Sequence, residues 1–192
     1  MNFTENEYYD EEFKNIDLSQ TTLTSIEFEN CSFINCKLNE TTLRFCRFTE
    51  CQFRECDLSL LKIEHSSFSD LVVRNSKAIG IDWSQLSTYF EVQFYDTNIS
   101  MSSFYQLDMK NSKIISCEAH DVDFVGSGLE KVNFKGTDLL NSIFGSTNLK
   151  NTDLTQAKNY TINPYINKLS ATKVSLPEAN SFLNFLDIKI IT

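Results

Sequence analysis

Cysteine, histidine and carboxylate side chains carry the chemistry that this sequence could offer, and their spacing argues against most of it. The six cysteines contain no CxxC pair, the spacing typical of zinc and thiol redox sites. Neither His65 nor His120 has the neighbours that a Ser-His-Asp or Cys-His site would need. We therefore predict no catalytic residue, no metal site and no cofactor, and a protein that is not an enzyme.

A five-residue repeat organises the chain. Every fifth residue from Phe13 to Trp83 is apolar, and after a shift of one residue the same spacing runs from Phe94 to Leu154. A second series, two positions before each of these centres, is mostly small or β-branched and includes all six cysteines, which we expect to be buried free thiols. A period of five fits neither a helix nor a simple strand, so the chain must turn a corner every five residues and stack coil on coil.

Quintets such as Cys31-Ser32-Phe33-Ile34-Asn35 and Thr152-Asp153-Leu154-Thr155-Gln156 resemble the pentapeptide-repeat family, and the resemblance covers about residues 11 to 157. It implies an all-β solenoid, namely a right-handed quadrilateral β-helix with twenty residues per coil. The 28 centres then predict about seven coils and a rod about 34 Å long.

Coils of twenty residues divide the centres into four faces, each named here after its first centre. Residues of similar type then stack on one another, including ladders of phenylalanines, and Trp83 is expected in the core. The faces are the Phe13 face (Phe13, Phe33, Phe53, Val73), the Leu18 face (Leu18, Leu38, Leu58, Ala78), the Leu23 face (Leu23, Leu43, Ile63, Trp83) and the Phe28 face (Phe28, Phe48, Phe68).

Three segments are expected from this pattern. Residues 1–12 are expected to form an acidic N-terminal arm or cap, loosely ordered, and residues 13–157 the β-helix, with the phase shift at 84–93 as a bulged corner. Residues 158–192 are expected to form a C-terminal cap with a helix at about 176–186, which Ser175 and Glu178 would begin as a capping box, with Val174 packed on Ala179. Repeat proteins need such caps because the end coils have open edges.

The cap helix would place an apolar face on one side, followed by Ile188, Ile190 and Ile191. This face covers the last coil or pairs with a second copy, and related members of the family dimerise through the C-terminal end. A homodimer is therefore expected. The dimer or cap candidates are Leu176, Phe182, Leu183 and Leu186.

The charge balance limits the partners. With 17 basic against 26 acidic residues the net charge is −9, which argues against direct binding of nucleic acid. No apolar run reaches the roughly 20 residues of a membrane span, and the acidic N-terminus is unlike a secretory signal, so we expect a cytoplasmic protein.

The outward carboxylates are the remaining candidate site, and the Leu18 face is the most acidic. Its carboxylates outnumber Lys37 and Lys77, although a plain solvated surface is the ordinary alternative, and the Phe28 face is also acidic. The candidate partner-binding residues are Asp17, Glu40, Asp57, Glu118, Asp121 and Asp138.

The resemblance also implies a function. Qnr and MfpA types within the family resemble duplex DNA and bind DNA gyrase and topoisomerase IV, protecting them from quinolones or inhibiting them. This chain lacks the two long Qnr loops and is nearer to loopless members, including the microcin and albicidin immunity types. The expectation is a non-enzymatic DNA mimic that binds a type II topoisomerase and protects against quinolones or a gyrase-directed toxin. The alternative is a structural or interaction scaffold with an unrelated partner.

Overall fold

Left-handed backbone recurs every five residues and turns the chain through one corner each time. The corner residue stands two positions after each inward centre, as at Asn15 (φ 54°), Asn35 (φ 51°) and His65 (φ 51°). An L-residue in this conformation is disfavoured by about 1–2 kcal/mol. Backbone hydrogen bonds to the next coil offset that cost, since the N–H of Asn35 donates to the carbonyl of Arg54 at 2.9 Å. This computed structural model describes residues 3–86 and 89–188.

Between the corners the chain forms short parallel strands that stack into sheets. The Phe28 face is a four-stranded sheet of β1 (Glu7–Tyr9), β4 (Glu27–Glu29), β7 (Arg47–Thr49) and β10 (Ser67–Ser69). The Phe13 face is a six-stranded sheet of β2 (Glu12–Lys14), β5 (Ser32–Ile34), β8 (Gln52–Arg54), β11 (Leu71–Arg74), β12 (Val92–Tyr95) and β13 (Lys113–Ile115). The Leu23 face contains β3 (Thr22–Thr24), β6 (Thr42–Arg44) and β9 (Lys62–Glu64), and isolated parallel bridges connect the Leu18 face.

The register confirms coils of twenty residues. Phe13 pairs with Phe33 and Phe33 with Phe53, and the rings of Phe33 and Phe53 stack with their centroids 4.7 Å apart. Both inward positions of each quintet fill one continuous core, in which Phe33 and Cys31 have no solvent exposure. The fold is therefore the predicted parallel β-solenoid with four faces and a short helix near its C-terminal end.

The solenoid begins earlier than expected. Strand β1 pairs with β4, which places Tyr8 on Phe28, and the Phe3 ring lies 5.2 Å from the Phe28 ring. The part of residues 1–12 that the structure describes is thus folded onto the first coil, and the expectation of a loose arm is wrong for it. Phe3 and Tyr8 stand ten and five residues before Phe13, so they continue the five-residue series toward the N-terminus.

The solenoid also ends later than the quintet pattern. Parallel bridges join Asn148 to Lys168 and Asp153 to Lys173, beyond the expected boundary at Ala157. On the Phe13 face, pairing connects nine successive levels from Glu12 to Lys173, so the coil count differs slightly from seven. Asn159 and Pro164 occupy expected apolar centres, whereas Tyr160 and Ile162 are buried and fill the core there.

The phase shift is absorbed locally, on the two sides of Phe90. Trp83–Gln85 forms a short 3-10 helix, and Leu86 and Phe90 are buried, so the described part of this segment packs as a corner and does not project. Residues 87 and 88 lie outside the described residues. Phe90 takes the inward place next to Phe68, 22 residues further along, and the next level comes only 19 residues later at Met109.

The C-terminal helix differs from the expected one. It is a 3-10 helix, Glu178–Phe185, with Pro177 at its N-cap position and no side-chain capping bond. The hydroxyl oxygen of Ser175 accepts a hydrogen bond from the Gln156 N–H at 2.9 Å instead, so the capping box is not formed. Ser175 makes this bond because it lies on the outermost level of the Phe13 face, next to the coil that contains Gln156. Val174, the expected partner of Ala179, is 38% exposed.

Candidate protein-interaction surface

The Leu18 face presents charged residues of alternating sign along much of its length. Its parallel bridges connect, in order, Asp17, Lys37, Asp57, Lys77, Asn98, Glu118, Asp138 and Lys158. The Nζ of Lys37 lies 3.5 Å from Asp17 Oδ2. Because adjacent coils bring opposite charges together over the first four levels, this half of the face is less acidic than the sum of its carboxylates indicates.

The structure separates the six candidate carboxylates into two groups. Asp17, Asp57, Glu118 and Asp138 lie on the bridge ladder, whereas Glu40 and Asp121 lie at the adjoining corner, where both have positive φ. The amide of Gln20 donates to Glu40 Oε2 at 3.3 Å. Only Glu118 and Asp138 occupy neighbouring levels without a lysine between them.

His120 lies between these two carboxylates. Its Nδ1 is 3.4 Å from Glu118 Oε1 and its Nε2 is 3.3 Å from Asp138 Oδ2, and the side chain is 29% exposed. His120 is thus a partly buried surface residue that contacts two carboxylates. His65 is exposed as predicted, and its ring stacks on Phe45 with 5.0 Å between centroids.

Short-range hydrogen bonds fix the carboxylates of this face. Asp17 Oδ1 accepts bonds from the hydroxyl and the N–H of Ser19, which lower the pKa of Asp17. Burial opposes ionisation of Asp138, but the hydrogen bond from Asn159 and the close contact with the His120 ring outweigh it, so the pKa of Asp138 is also lowered. Both groups are ionised at neutral pH and held close to the backbone.

A shallow groove of about 770 Å³ follows the corner between the Phe13 and Leu18 faces. Asn35, Glu55 and Asn75 form its rim, and Cys36 and Cys56 lie at its floor with at most 3% exposure. Contact with the Cys36 thiol, together with burial, raises the pKa of Cys56. All six cysteines are buried free thiols, as predicted.

The charged residues of the Phe28 face are unevenly distributed along the rod, which its net charge alone does not show. Among its described outward positions, the first four levels carry one base, Arg47. The acidic residues there are Glu7, Asp10, Glu27, Glu29, Glu50 and Asp70. At the other end of the same face, Lys131, Lys150 and Lys168 outnumber Glu130. One face is thus acidic near the N-terminus and basic near the C-terminus.

Apolar side chains remain exposed near the C-terminal end. Of the four dimer or cap candidates, Leu176 is 75% and Leu186 42% exposed, and Leu183 is half-buried. Phe182 is half-buried and its ring lies 6.1 Å from that of Tyr160, so it covers the last coil. Tyr165 and Ile166, 72% and 54% exposed, belong to the same end.

Within residues 3–86 and 89–188, no group of three or more His, Cys, Asp or Glu side chains is placed to hold a metal ion. No helix in the described part of the chain is both long and apolar enough to cross a membrane.

Coils of twenty residues with two inward side chains per quintet define a β-solenoid built from five-residue units. The protein-family model described as "Pentapeptide repeat region" matches residues 26–90, and the family model described as "Pentapeptide repeats (8 copies)" matches residues 120–156. The chain belongs to the pentapeptide-repeat family.

Solved structures of this fold are similar to the chain at low sequence identity. QnrB1, described as a plasmid-mediated fluoroquinolone resistance protein, is 20% identical over 96% of this chain and 100% of its own, with a TM-score of 0.48. HetL, described as involved in heterocyst differentiation regulation in the cyanobacterium Nostoc, is 14% identical over 90% of both chains, with a TM-score of 0.47. The comparison with curated proteins gave no match.

Proposed function

We propose that this protein is a non-enzymatic, partial mimic of duplex DNA that binds a type II topoisomerase, DNA gyrase or topoisomerase IV, in the cytoplasm. Such binding would protect the enzyme from a quinolone or from a gyrase-directed toxin. The observation that carries the proposal is the array of outward carboxylates that hydrogen bonds fix on the solenoid. Asp17, Asp57 and Asp138 each accept a hydrogen bond from the backbone N–H two residues further on.

Charge magnitude limits how far the mimicry extends. B-DNA carries one charge per about 1.7 Å, or more than 20 over a rod of this length, against a net charge of −9 here. The C-terminal part of the Leu18 face, with Glu118, Asp121 and Asp138, is the best-supported contact. We expect the N-terminal part to contribute less, because Lys37 and Lys77 interrupt it.

The test is DNA supercoiling by gyrase with increasing amounts of this protein, with and without ciprofloxacin, at 50 and 300 mM salt. The proposal expects inhibition, or relief from the drug, that fades at the higher salt because the contacts are ionic. An Asp57→Lys/Glu118→Lys/Asp121→Lys variant should lose the effect. A matched control, Glu12→Lys/Glu55→Lys/Asp96→Lys on the Phe13 face and its corner, changes the net charge equally and should retain it.

No effect at micromolar protein would reject the topoisomerase proposal. The second candidate, a scaffold for an unrelated protein, is favoured by the alternation of Asp17, Lys37, Asp57 and Lys77, which DNA lacks. An effect equal in the variant and its control would instead show that the Leu18 face is the wrong surface.

A homodimer through the C-terminal end also forms part of this proposal. Leu176 and Leu186 are exposed beside the half-buried Phe182 and Leu183, and apolar contacts of this kind persist at high salt. A Leu176→Asp/Leu186→Asp variant should be monomeric at 500 mM NaCl when the unmodified protein is dimeric. A monomeric unmodified protein at that salt concentration would reject this contact.

A further inference from the structure

The charge pattern of the Phe28 face is complementary to itself. The face has nine levels, centred on Tyr8, Phe28, Phe48, Phe68, Phe90, Met109, Leu129, Leu149 and Leu169. The first, second, fourth and fifth levels are acidic, the third, sixth and seventh carry equal numbers of acidic and basic residues, and the eighth and ninth are basic, so the two ends of the face differ in sign. A second copy turned end for end would place acidic levels opposite basic ones.

We propose that two copies of this chain associate side by side and antiparallel through the Phe28 face. A two-fold axis in the plane of this face, across the rod at the level of Phe90, exchanges level one with nine, two with eight and three with seven. Contacts of this kind use the same patch on both partners and close on themselves, which is the commonest symmetry of homodimers. The inference goes beyond the proposed function and does not depend on it.

The columns of side chains agree with this pairing. A two-fold axis across the face keeps each column opposite itself, so a residue just before a centre faces another residue just before a centre. The first column then pairs Glu7 with the other copy's Lys168. The column after the centres pairs Glu29 with Lys150, and the corner column pairs Glu50 with Lys131.

The single chain leaves much of this charge without a close partner. Glu7 pairs in register with Glu27, so like charges stand on adjacent strands, an arrangement that destabilises a sheet. Arg47 Nη1 is 3.7 Å from Glu27 Oε1 and Lys150 Nζ is 3.9 Å from Glu130 Oε1, both long ion pairs at an exposed surface. A cationic surface above the first levels would relieve the repulsion between Glu7 and Glu27.

The axis itself makes a separate prediction. Glu91 stands directly after Phe90, the centre of the fifth level. In the antiparallel pair it would lie opposite Glu91 of the other copy, a like-charge contact that weakens the association. Tyr89 is half exposed on the same level, and its hydroxyl donates to Glu91 Oε2 at 2.5 Å. A Glu91→Gln variant should therefore associate more tightly than the unmodified protein.

Complementary charge reversal tests the pairing directly. The acidic-end variant is Glu29→Lys/Glu50→Lys and the basic-end variant is Lys131→Glu/Lys150→Glu. Glu50→Lys and Lys131→Glu both change a corner residue with left-handed backbone, with φ of 53° and 61°, so the two substitutions place the same demand on the backbone. Alone, each variant brings like charges together across the axis. Mixed in equal amounts, they restore every opposite-charge pair.

The measurement is sedimentation velocity from 1 to 100 μM protein at 50 and 500 mM NaCl, with circular dichroism to confirm folding. We expect a dimer at 50 mM that weakens at least tenfold at 500 mM, and variants that associate at least tenfold more weakly alone than when mixed. The Glu12→Lys/Glu55→Lys control on the Phe13 face and its corner should associate at least as well as the unmodified protein.

A monomer at 50 mM, or variants that do not recover on mixing, would overturn the proposal. The C-terminal contact is distinguished because it is apolar and survives 500 mM NaCl. The two contacts use different residues, so a chain that makes both would form arrays whose mass rises with concentration. The supercoiling assay is unaffected by this outcome as long as the Leu18 face stays free.

Discussion

The ring of Phe90 stacks on the indole of Trp83, with 5.1 Å between centroids and 21° between planes. Trp83 belongs to the regular series of centres, whereas Phe90 stands outside it, yet both are almost completely buried. The contact lies where the spacing of levels on the Phe28 face departs from twenty residues, being 22 before Phe90 and 19 after it. It lets an irregular sequence keep the core continuous between Phe68 and Phe104.

Phe90→Ala should therefore destabilise the protein as strongly as the loss of a regular core phenylalanine, by about 3–5 kcal/mol. The measurement is the free energy of unfolding in urea. Tyr89→Ala is the matched control, because Tyr89 is 50% exposed, and it should cost less than about 1 kcal/mol. Equal effects of the two changes would contradict the assignment of Phe90 to the core.

Ser175→Ala should cost about 1 kcal/mol, because the Gln156 N–H would lose its acceptor. The effect should add to that of Glu178→Ala, since the structure places no capping box between Ser175 and Glu178. A coupling above about 0.5 kcal/mol in a double-mutant cycle would indicate that the capping box forms after all. Ser170→Ala, at an exposed position on the same coil, serves as the control.

The six thiols should react with a thiol reagent such as DTNB only as the protein unfolds. All six side chains are buried and out of reach of the reagent, and burial raises the pKa of Cys51 and of Cys117 to about 12, so these two also form little thiolate at pH 8. The expected reaction rate at pH 8 is limited by unfolding of the structure around the thiols and rises with denaturant. A Ser67→Cys variant, exposed on the Phe28 face, should react at once. Rapid labelling of the unmodified folded protein would contradict the burial of its cysteines.

Acid should destabilise the fold through carboxylates whose pKa values are lowered. For Asp138 and Asp153, hydrogen bonds and nearby charges outweigh burial and lower the pKa. A lowered pKa stabilises the folded state above the unfolded value of about 3.9, and this contribution is lost as the pH falls through the folded pKa. Asp138→Asn should thus be destabilising at pH 7 and nearly neutral at pH 2.5.

The matched control for this pH dependence is Asn133→Ala. Asn133 accepts a hydrogen bond from the N–H two residues further on, as Asp138 does, but it cannot titrate. Its cost in urea unfolding should be the same at pH 7 and at pH 2.5. An Asp138→Asn cost that persists at pH 2.5 would assign the role of Asp138 to shape and not to charge.

The period of five predicts the coils because one left-handed corner per quintet leaves two inward positions for every five residues. The same rule extends to residues outside the two regular series. Tyr8 precedes Phe28 by twenty residues, and Leu169, Thr172 and Val174 stand twenty residues after Leu149, Thr152 and Leu154. The last coil could not be predicted from the series of centres, because Asn159 and Pro164 interrupt that series. Tyr160 and Ile162 fill the core there instead.

The surface was less predictable for a different reason. Sorting the charged residues by face gives only the net charge of each face. That value does not show in which order acidic and basic residues follow one another along the rod. The alternation of Asp17, Lys37 and Asp57, and the change of sign along the Phe28 face, appear only when each residue is given its level. The contact of His120 with Asp138 likewise depends on which coils are adjacent, eighteen residues apart in the sequence.

The left-handed corner determines how duplications of sequence would change the length of this rod and the positions of its side chains. Because one residue sets each corner, duplication of twenty residues would lengthen the rod by one coil and leave every face in place. Duplication of ten would move all downstream side chains to the opposite face, and duplication of five would move them to the adjacent one. The coil that contains Trp83 and Phe90 shows that a single inserted residue can be absorbed without rotating the downstream coils. Surface patterns can therefore be shifted around the rod in quarter turns while the core remains unchanged.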